Sequence, residues 1–229
     1  TTCTIDFVSG TESSTTISTV NDGIEISDGD FQQGTLTGLT FDEIGTGAAL
    51  NLSTNYDGDL TLDQLTVDGG GNGAGTAVDF DAPSDTDDDN LEVNNSNLGT
   101  STRLDAGVIA GTVNNVVVDD TTVDLSDGGS QGVFVDDTSA GDVTIRDAVT
   151  IDGPDPSSAQ DHAAAGIRIN ADTDNTVLTL ADTSQLDVSG VDRGLQIDAA
   201  EELNDGSSST NPTIDSASFT EIGDQGGII

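Results

Sequence analysis

Apolar residues along this chain repeatedly occur in pairs that are separated by a single residue, which is usually polar. Residues 177–200 contain three such pairs in succession: Leu178 with Leu180, Leu186 with Val188, and Leu195 with Ile197. Successive side chains of a β-strand point to opposite faces, so each pair places two apolar side chains on one face of a short strand. The residues between them are Thr, Asp and Gln. The pattern therefore predicts short strands that each bury one face.

The paired arrangement repeats along the chain. Further pairs are Leu39 with Phe41, Leu50 with Leu52, Leu60 with Leu62, Leu65 with Val67, Val78 with Phe80, Leu91 with Val93, Val116 with Val118, Val123 with Leu125, and Val133 with Val135. Equivalent pairs lie roughly 25 to 35 residues apart, a period typical of solenoid proteins. Three short strands per period predict an all-β fold, a parallel β-helix (β-solenoid) of about seven turns in which successive turns stack about 4.8 Å apart.

Segments rich in Gly, Asp, Asn and Ser separate the pairs, as in VDGGGNGAG, SDGGSQG and INADTDN. These residues accept positive φ or bond to their own backbone, so we expect them at corners. The alternative all-β fold is a β-sandwich or jelly roll, which usually has longer strands and a more aromatic core than a chain with 3% aromatic residues provides. We assign residues 1–30 to an N-terminal cap or assembly segment and residues 31–229 to the β-helix.

The last stretch of the sequence matches an earlier one. ASFTEIGDQGGII at residues 217–229 resembles LTFDEIGTGAALNL at residues 39–52, which continues into a further turn. We therefore expect an incomplete last turn, completed by further sequence or by a neighbouring subunit, with Ile228 and Ile229 as assembly residues. Cys3 is the single cysteine, so it either remains an unpaired thiol or forms an intermolecular disulfide.

Charge is the most unusual property of the composition. Four Arg and no Lys stand against 43 Asp and Glu, which gives a formal net charge of −39. Such self-repulsion opposes compaction unless salt screens it, and the Debye length falls to about 3 Å at about 1 M salt. The composition resembles that of proteins from extremely halophilic archaea and their viruses. An acidic disordered tail or a calcium-buffering protein is the alternative, against which the periodic apolar residues argue.

The same charge argues against several partners. Nucleic-acid binding requires a basic groove that releases counterions, and anionic lipid headgroups also require cationic side chains. The sequence lacks the run of about 18 apolar residues that a membrane span requires. We therefore expect no nucleic-acid partner and no membrane span.

Period and corner composition over roughly residues 30–229 resemble the right-handed parallel β-helix superfamily, which includes pectate-lyase-like enzymes, viral tailspikes and many archaeal surface proteins. No motif identifies a particular member. The resemblance to polygalacturonase-like members implies a weak catalytic set: Asp136, Asp137, Asp161, His162 and Arg168. The spacing of His162 and Arg168 departs from that family, and adjacent Asp residues on a strand point to opposite faces, so solvated acidic residues are the favoured interpretation.

Pectate-lyase-like elimination uses a cationic base beside calcium, for which Arg146 and Arg168 at outward strand positions are candidates. Ion pairs with surrounding carboxylates are the favoured role for both. Two acidic segments contain candidate ligands for a hard cation: Asp85, Asp87, Asp89, Asp172 and Asp174. These segments lack the Gly and the terminal Glu of an EF-hand loop. Hydrated monovalent cations are therefore the expected occupants, calcium is the alternative, and no other cofactor is expected. Asn51 and Asn94 lie in N-glycosylation sequons.

These observations predict an extracellular structural or adhesive β-solenoid of a halophilic archaeon or its virus: a surface filament, a cell-surface protein, or a virion fibre or spike. We expect a homo-oligomer or filament that contacts a cell-surface glycan or protein receptor, and no enzymatic activity. The alternative is a carbohydrate-active β-helix enzyme of the polygalacturonase-like or pectate-lyase-like kind.

Overall fold

The described part of the chain consists of three parallel sheets. The computed structural model describes residues 15–18, 21–26, 30–53, 55–70, 75–81, 90–111, 113–126, 130–136, 142–154, 165–170, 177–180, 185–197, 202–204 and 217–220. Sheet I contains β1 (Thr15–Ser18), β4 (Leu39–Ile44), β7 (Thr66–Gly69), β10 (Asn97–Leu98), β13 (Thr122–Asp124), β16 (Ala148–Asp152), β19 (Gln185–Ser189) and β22 (Ala217–Thr220). Sheet II contains β2 (Ile24–Ile26), β5 (Ala48–Leu52), β8 (Thr76–Asp81), β11 (Ala106–Gly111), β14 (Gln131–Asp136), β17 (Ala165–Asn170) and β20 (Leu195–Ile197). Sheet III contains β3 (Asp30–Thr37), β6 (Asn55–Asp63), β9 (Asn90–Asn94), β12 (Asn115–Asp119), β15 (Asp142–Arg146), β18 (Val177–Leu180) and β21 (Glu202–Asn204).

The chain visits sheets I, II and III in turn, and each strand pairs in parallel with strands of the turns before and after it. Strands β7 to β18 make four consecutive turns, and further strands of the same sheets lie on both sides of them. Such connectivity is that of a parallel β-solenoid, which confirms the predicted fold class. A β-sandwich is excluded because its sheets are antiparallel.

The predicted apolar pairs form the core. All of them are buried except Ile197, which is partly buried. In sheet III, Val116 pairs with Leu91 on one side and with Val143 on the other, so that inward side chains form columns along the solenoid. The outward Thr144 and Thr179 are only partly buried, as the alternation predicts. Burial of one face in every strand fixes the register, because a slip by one residue would expose the whole pair.

The corner from sheet III to sheet I is built from residues with positive φ. Gln64, Asn95, Asp120 and Asp147 have φ between 41° and 56° and follow β6, β9, β12 and β15. The corners stack, since the Asn95 N–H donates to the Asp119 carbonyl at 3.1 Å. Asn and Asp tolerate this conformation better than most residues. The Gly-rich segments predicted as corners lie largely outside the described residues.

Sheet II approaches sheet I closely at a column of small residues. A Cβ atom on Gly132 would lie 2.5 Å from the Gly166 carbonyl oxygen and 2.7 Å from Cγ2 of Ile151. Gly107 and Gly166 occupy the equivalent positions on β11 and β17. The close approach explains why glycine precedes the apolar pair in these strands.

Candidate functional site

A shallow groove of ≈ 780 Å³ lies along the outer face of sheet III. Its floor is the central outward column Thr35, Thr61, Glu92, Val117 and Thr144. One side of the groove is formed by residues paired in register on successive strands: Asp59, Asn90, Asn115 and Asp142. Arg146 lies on the other side.

A ladder of side-chain hydrogen bonds connects the turns on the first side of this groove. Asn90 Nδ2 donates to Asp59 Oδ1 at 2.6 Å, and Asn115 Nδ2 donates to Asn90 Oδ1 at 2.5 Å. The backbone N–H of Asp142 donates to Asn115 Oδ1 at 3.2 Å. Parallel in-register strands place identical positions one above another, so a column of amides can satisfy its own donors and acceptors. The ladder therefore joins four strands on the outside of the solenoid.

Arg146 performs a similar role on the other side of the groove. Its Nε donates to Asp119 Oδ2 at 2.7 Å, and its Nη2 contacts Glu92 Oε1, two turns away. Burial raises the pKa of Asp119, and Asp147 raises it further, although Arg146 opposes the shift. The hydrogen bond to Asp119 in turn raises the pKa of Arg146. The guanidinium therefore lies between two carboxylates and offsets part of their mutual repulsion along the sheet.

Chemically, the groove presents amides, hydroxyls and carboxylates, with one guanidinium among its lining residues. Groups of this kind can hydrogen-bond a hydrated cation or a polyhydroxylated ligand. The two carboxylates next to the guanidinium are held in its ion pairs.

A second arginine bridges turns on the outside of sheet I. Arg103 donates to Asp152 Oδ2 at 3.2 Å and to the Leu125 carbonyl at 3.3 Å. Burial raises the pKa of Asp124, and its neighbour Asp152 adds to the shift, which Arg103 partly offsets. A basic side chain is thus placed where two carboxylates stack directly in register.

The outer face of sheet II has a different character. Its central outward column reads Asn51, Asp79, Ile109, Phe134, Arg168 and Gln196 from β5 to β20. The Arg168 guanidinium carbon lies 5.1 Å from the centroid of the Phe134 ring, and Arg193 donates to Gln196 Oε1 at 3.2 Å. Burial, followed by the nearby Asp81, raises the pKa of Asp79.

Two of the five predicted catalytic residues lie in the described part. Asp136 on β14 and Arg168 on β17 are outward residues of neighbouring strands in sheet II. Asp136 Oδ1 accepts from Asn170 Nδ2 at 2.7 Å, and Arg168 stacks on Phe134. Asp137, Asp161 and His162 lie outside the described residues, so the complete set stays a prediction. Arg146 and Arg168 lie on different sheets and do not share a face.

The predicted cation ligands Asp85, Asp87, Asp89, Asp172 and Asp174 also lie outside the described residues, as do Cys3, Ile228 and Ile229. Within the described ranges, no group of three or more His, Cys, Asp or Glu side chains is arranged to hold a metal ion. In the same part of the chain, no helix has the length and apolar character needed to cross a membrane.

The two sequons differ in their surroundings. Asn51 is a partly exposed outward residue in the middle of β5. Ser96 of the Asn94 sequon is 1% exposed, and its hydroxyl donates to the Asn94 carbonyl at 2.6 Å and accepts from the Leu65 N–H at 3.1 Å. The sequon of Asn51 is therefore the more accessible of the two, since its Ser53 is exposed and Ser96 is buried.

The outward columns of sheet III were not predicted from the sequence, although the sequence contains a pattern that indicates them. The segments DLTLDQ, NLEVNN, NVVVDD and DVTIRD begin at residues 59, 90, 115 and 142 and align without gaps. Their first residues form the hydrogen-bonded ladder, and their last residues have positive φ. An alignment of these hexapeptides would have shown the ladder and the corner together.

Comparison with known proteins matched no protein-family model, no curated protein and no solved structure.

Proposed function

We propose that this protein is an extracellular structural or adhesive β-solenoid of a halophilic archaeon or its virus, used as a surface filament, a cell-surface protein, or a virion fibre or spike. The observation that carries the proposal is the set of contacts that join turns on the outside of the solenoid. The ladder from Asp59 to Asp142 and the Arg146 contacts to Asp119 and Glu92 supplement the backbone pairing of sheet III. Reinforcement of this kind suits a rigid surface.

Charge supports the saline environment. The formal net charge is −39, and within the described residues Arg103 and Arg146 make ion pairs on the outer surface. Those pairs neutralise a small part of the acidic surface, so the remaining repulsion has to be screened by dissolved ions. A cell envelope or virion exposed to brine provides that screening.

Assembly would use the ends of the solenoid. Ile24 and Ile26 on β2 are only partly buried, whereas their pairing partners Leu50 and Leu52 are 0% and 2% exposed. At the other end of sheet II, Ile197 on β20 is also only partly buried. Strand edges with apolar side chains recruit further strands, which favours end-to-end stacking of subunits and presentation of side faces to a glycan or protein receptor.

Negative-stain electron microscopy in about 3 M salt tests the assembly, since the Debye length is then well below about 3 Å. We expect rods or filaments that elongate as protein concentration rises. Particles with the length of a single solenoid at every concentration would overturn end-to-end assembly.

The groove on sheet III favours one alternative, a carbohydrate-active enzyme, because carboxylates and Arg146 line it. An assay for reducing ends and for unsaturated products, on uronate and neutral polysaccharides in high salt, distinguishes the two. Product formation that is lost in Glu92→Gln and retained in the sheet I control Asp187→Asn would replace the structural function with the enzymatic one.

A further inference from the structure

The central outward column of sheet II has a self-complementary order. From β8 to β17 it contains an anion, two apolar residues and a cation: Asp79, Ile109, Phe134 and Arg168. Asn51 precedes this set on β5 and Gln196 follows it on β20, so a primary amide flanks the set on each side, and Glu25 on β2 lies beyond Asn51. Reversing the column exchanges the anion with the cation and leaves apolar residues opposite each other.

Two copies can place these faces together around a two-fold axis in only two orientations that keep the columns in contact. With the axis parallel to the solenoid, each residue faces its own copy, so Asp79 meets Asp79 and Arg168 meets Arg168. With the axis parallel to the strands, between β11 and β14, Asp79 meets Arg168 and Ile109 meets Phe134. Like-charge contacts disfavour the first orientation, and charge complementarity selects the second.

The neighbouring column on the same face agrees with the second orientation. It contains Asp81, Gly111, Asp136 and Asn170 on β8, β11, β14 and β17. Reversal of this column places Asp81 opposite Asn170 and Gly111 opposite Asp136. Neither contact places two acidic positions directly opposite each other.

The side chains are suited to such a contact. Arg168 stacks on Phe134, and a stacked guanidinium presents its N–H groups at its edge, which is the geometry for binding a carboxylate. Ile109 and Phe134 are apolar side chains that remain partly exposed on an outer face. The outward columns of sheets I and III are mostly Thr, Asp, Asn and Glu by comparison.

We propose that two copies of this chain associate side by side through the outer faces of sheet II, antiparallel, with Asp79 of each copy paired to Arg168 of the other. The partner is therefore a second copy of the chain. The pairing is lateral and independent of end-to-end stacking, because the central strands of sheet II carry it and the strands at the ends of the solenoid do not.

Sedimentation equilibrium of the whole chain in about 1 M salt tests the pairing, because a Debye length of about 3 Å screens the net repulsion and leaves contact pairs in place. The variants are Arg168→Asp and Asp79→Arg, with Asp187→Arg, an exposed position on sheet I, as the matched control. Circular dichroism of each variant establishes that it remains folded. We expect the wild type and the control to form dimers.

Each interface variant alone should dissociate with a constant raised by about tenfold or more, because its dimer would contain two like-charge contacts. An equimolar mixture of the two variants should recover the dimer, since the carboxylate introduced at position 168 of one copy then faces the guanidinium introduced at position 79 of the other. A monomeric wild type, or a dimer unchanged by Arg168→Asp, would overturn the proposal. Folded variants that fail to associate when mixed would also overturn it. A wild type that forms end-to-end rods but no side-by-side dimer would retain the proposed function while the lateral pairing fails.

Discussion

The outer faces of sheets III and II use the same backbone in different ways. On sheet III, Asn90 and Asn115 bond to neighbouring turns, and Arg146 holds two carboxylates of its own chain. On sheet II, Asp79 and Arg168 belong to one column but are separated by Ile109 and Phe134. The separation is three strand spacings, or about 14 Å. On sheet III, a cation therefore lies between two anions of neighbouring turns, whereas the anion and the cation in the central column of sheet II lie three strands apart.

The difference shows how a solenoid separates stability from recognition. The inward pairs are alike on all three sheets, so the core places little constraint on the outward residues. Contacts between adjacent turns on the outside strengthen the stack, as on sheet III. Outward residues whose opposite charges lie several turns apart form a charge pattern that a second molecule can complement.

The largest expected effect comes from charging the common core. Ile145→Asp places a carboxylate at a position that is 0% exposed, so the free energy of unfolding should fall by several kcal/mol. Thr144→Asp changes the adjacent outward residue on the same strand and should be close to neutral. Thermal unfolding followed by circular dichroism in high salt measures both. Equal losses in the two variants would show that the register on sheet III is wrong.

The next effect separates the two faces directly. Arg146→Gln leaves Glu92 and Asp119 without their shared cation, and we expect a loss of about 1–2 kcal/mol, limited by partial exposure. Arg168→Gln removes a stack on Phe134 worth about 0.5–1 kcal/mol at an exposed site. Denaturant unfolding at low protein concentration compares them. A larger loss for Arg168→Gln would contradict the assignment of internal reinforcement to sheet III.

The amide ladder should contribute about as much as one ordinary hydrogen bond at each step. Asn115→Ala removes the donor to Asn90 Oδ1 and the acceptor for the Asp142 N–H, and we expect a loss of about 1 kcal/mol. Asn97→Ala at an exposed position of sheet I is the matched control. If the two variants unfold at the same denaturant concentration, the ladder does not reinforce the stack.

The sequence predicts contacts that depend on one strand better than contacts that depend on two neighbouring turns. The alternation of single apolar pairs predicts the strands and the buried side of each, because burial of one face leaves one register. The outward columns depend on which turn lies beside which, so the bond from Asn115 to Asn90 requires the pairing register. The positive φ of the corner residue Gln64 does not follow from its residue type, because Gly and Asn are the usual residues in that conformation. The backbone N–H of Gln64 donates to the Asn94 carbonyl, and this contact between turns supports the conformation.

The predicted site residues differ in whether they lie on described strands. Asp136 and Arg168 are on strands, and their neighbouring positions follow once β14 and β17 are paired. His162 and the acidic segments that contain Asp87 and Asp172 lie outside the described residues, so their roles stay predictions. Backbone pairing in register determines which residues of neighbouring strands lie side by side. The length of a connecting segment varies between turns, so the sequence alone does not show which of its residues lie beside those of the next turn.

A smaller effect distinguishes the carboxylates by pH. Burial raises the pKa values of Asp79, Asp119 and Asp124 above the ordinary value of 3.8, so the folded chain binds protons more tightly than the unfolded chain. Stability from these groups is present below that value and is lost as pH rises through the raised pKa values. Thermal unfolding at constant high salt should show Asp79→Asn losing part of this slope, with the exposed-site variant Asp187→Asn measured alongside it. An unchanged slope in Asp79→Asn would contradict the burial of Asp79 on sheet II.

We infer that a parallel solenoid with so acidic a surface remains folded only where dissolved salt screens its charge. Circular dichroism of the whole chain, dialysed from about 3 M to about 0.1 M salt, tests it most directly, because the Debye length rises to about 10 Å. We predict loss of the β signal at the lower concentration and its recovery when salt is restored. A β signal that is unchanged between the two conditions would contradict the claim.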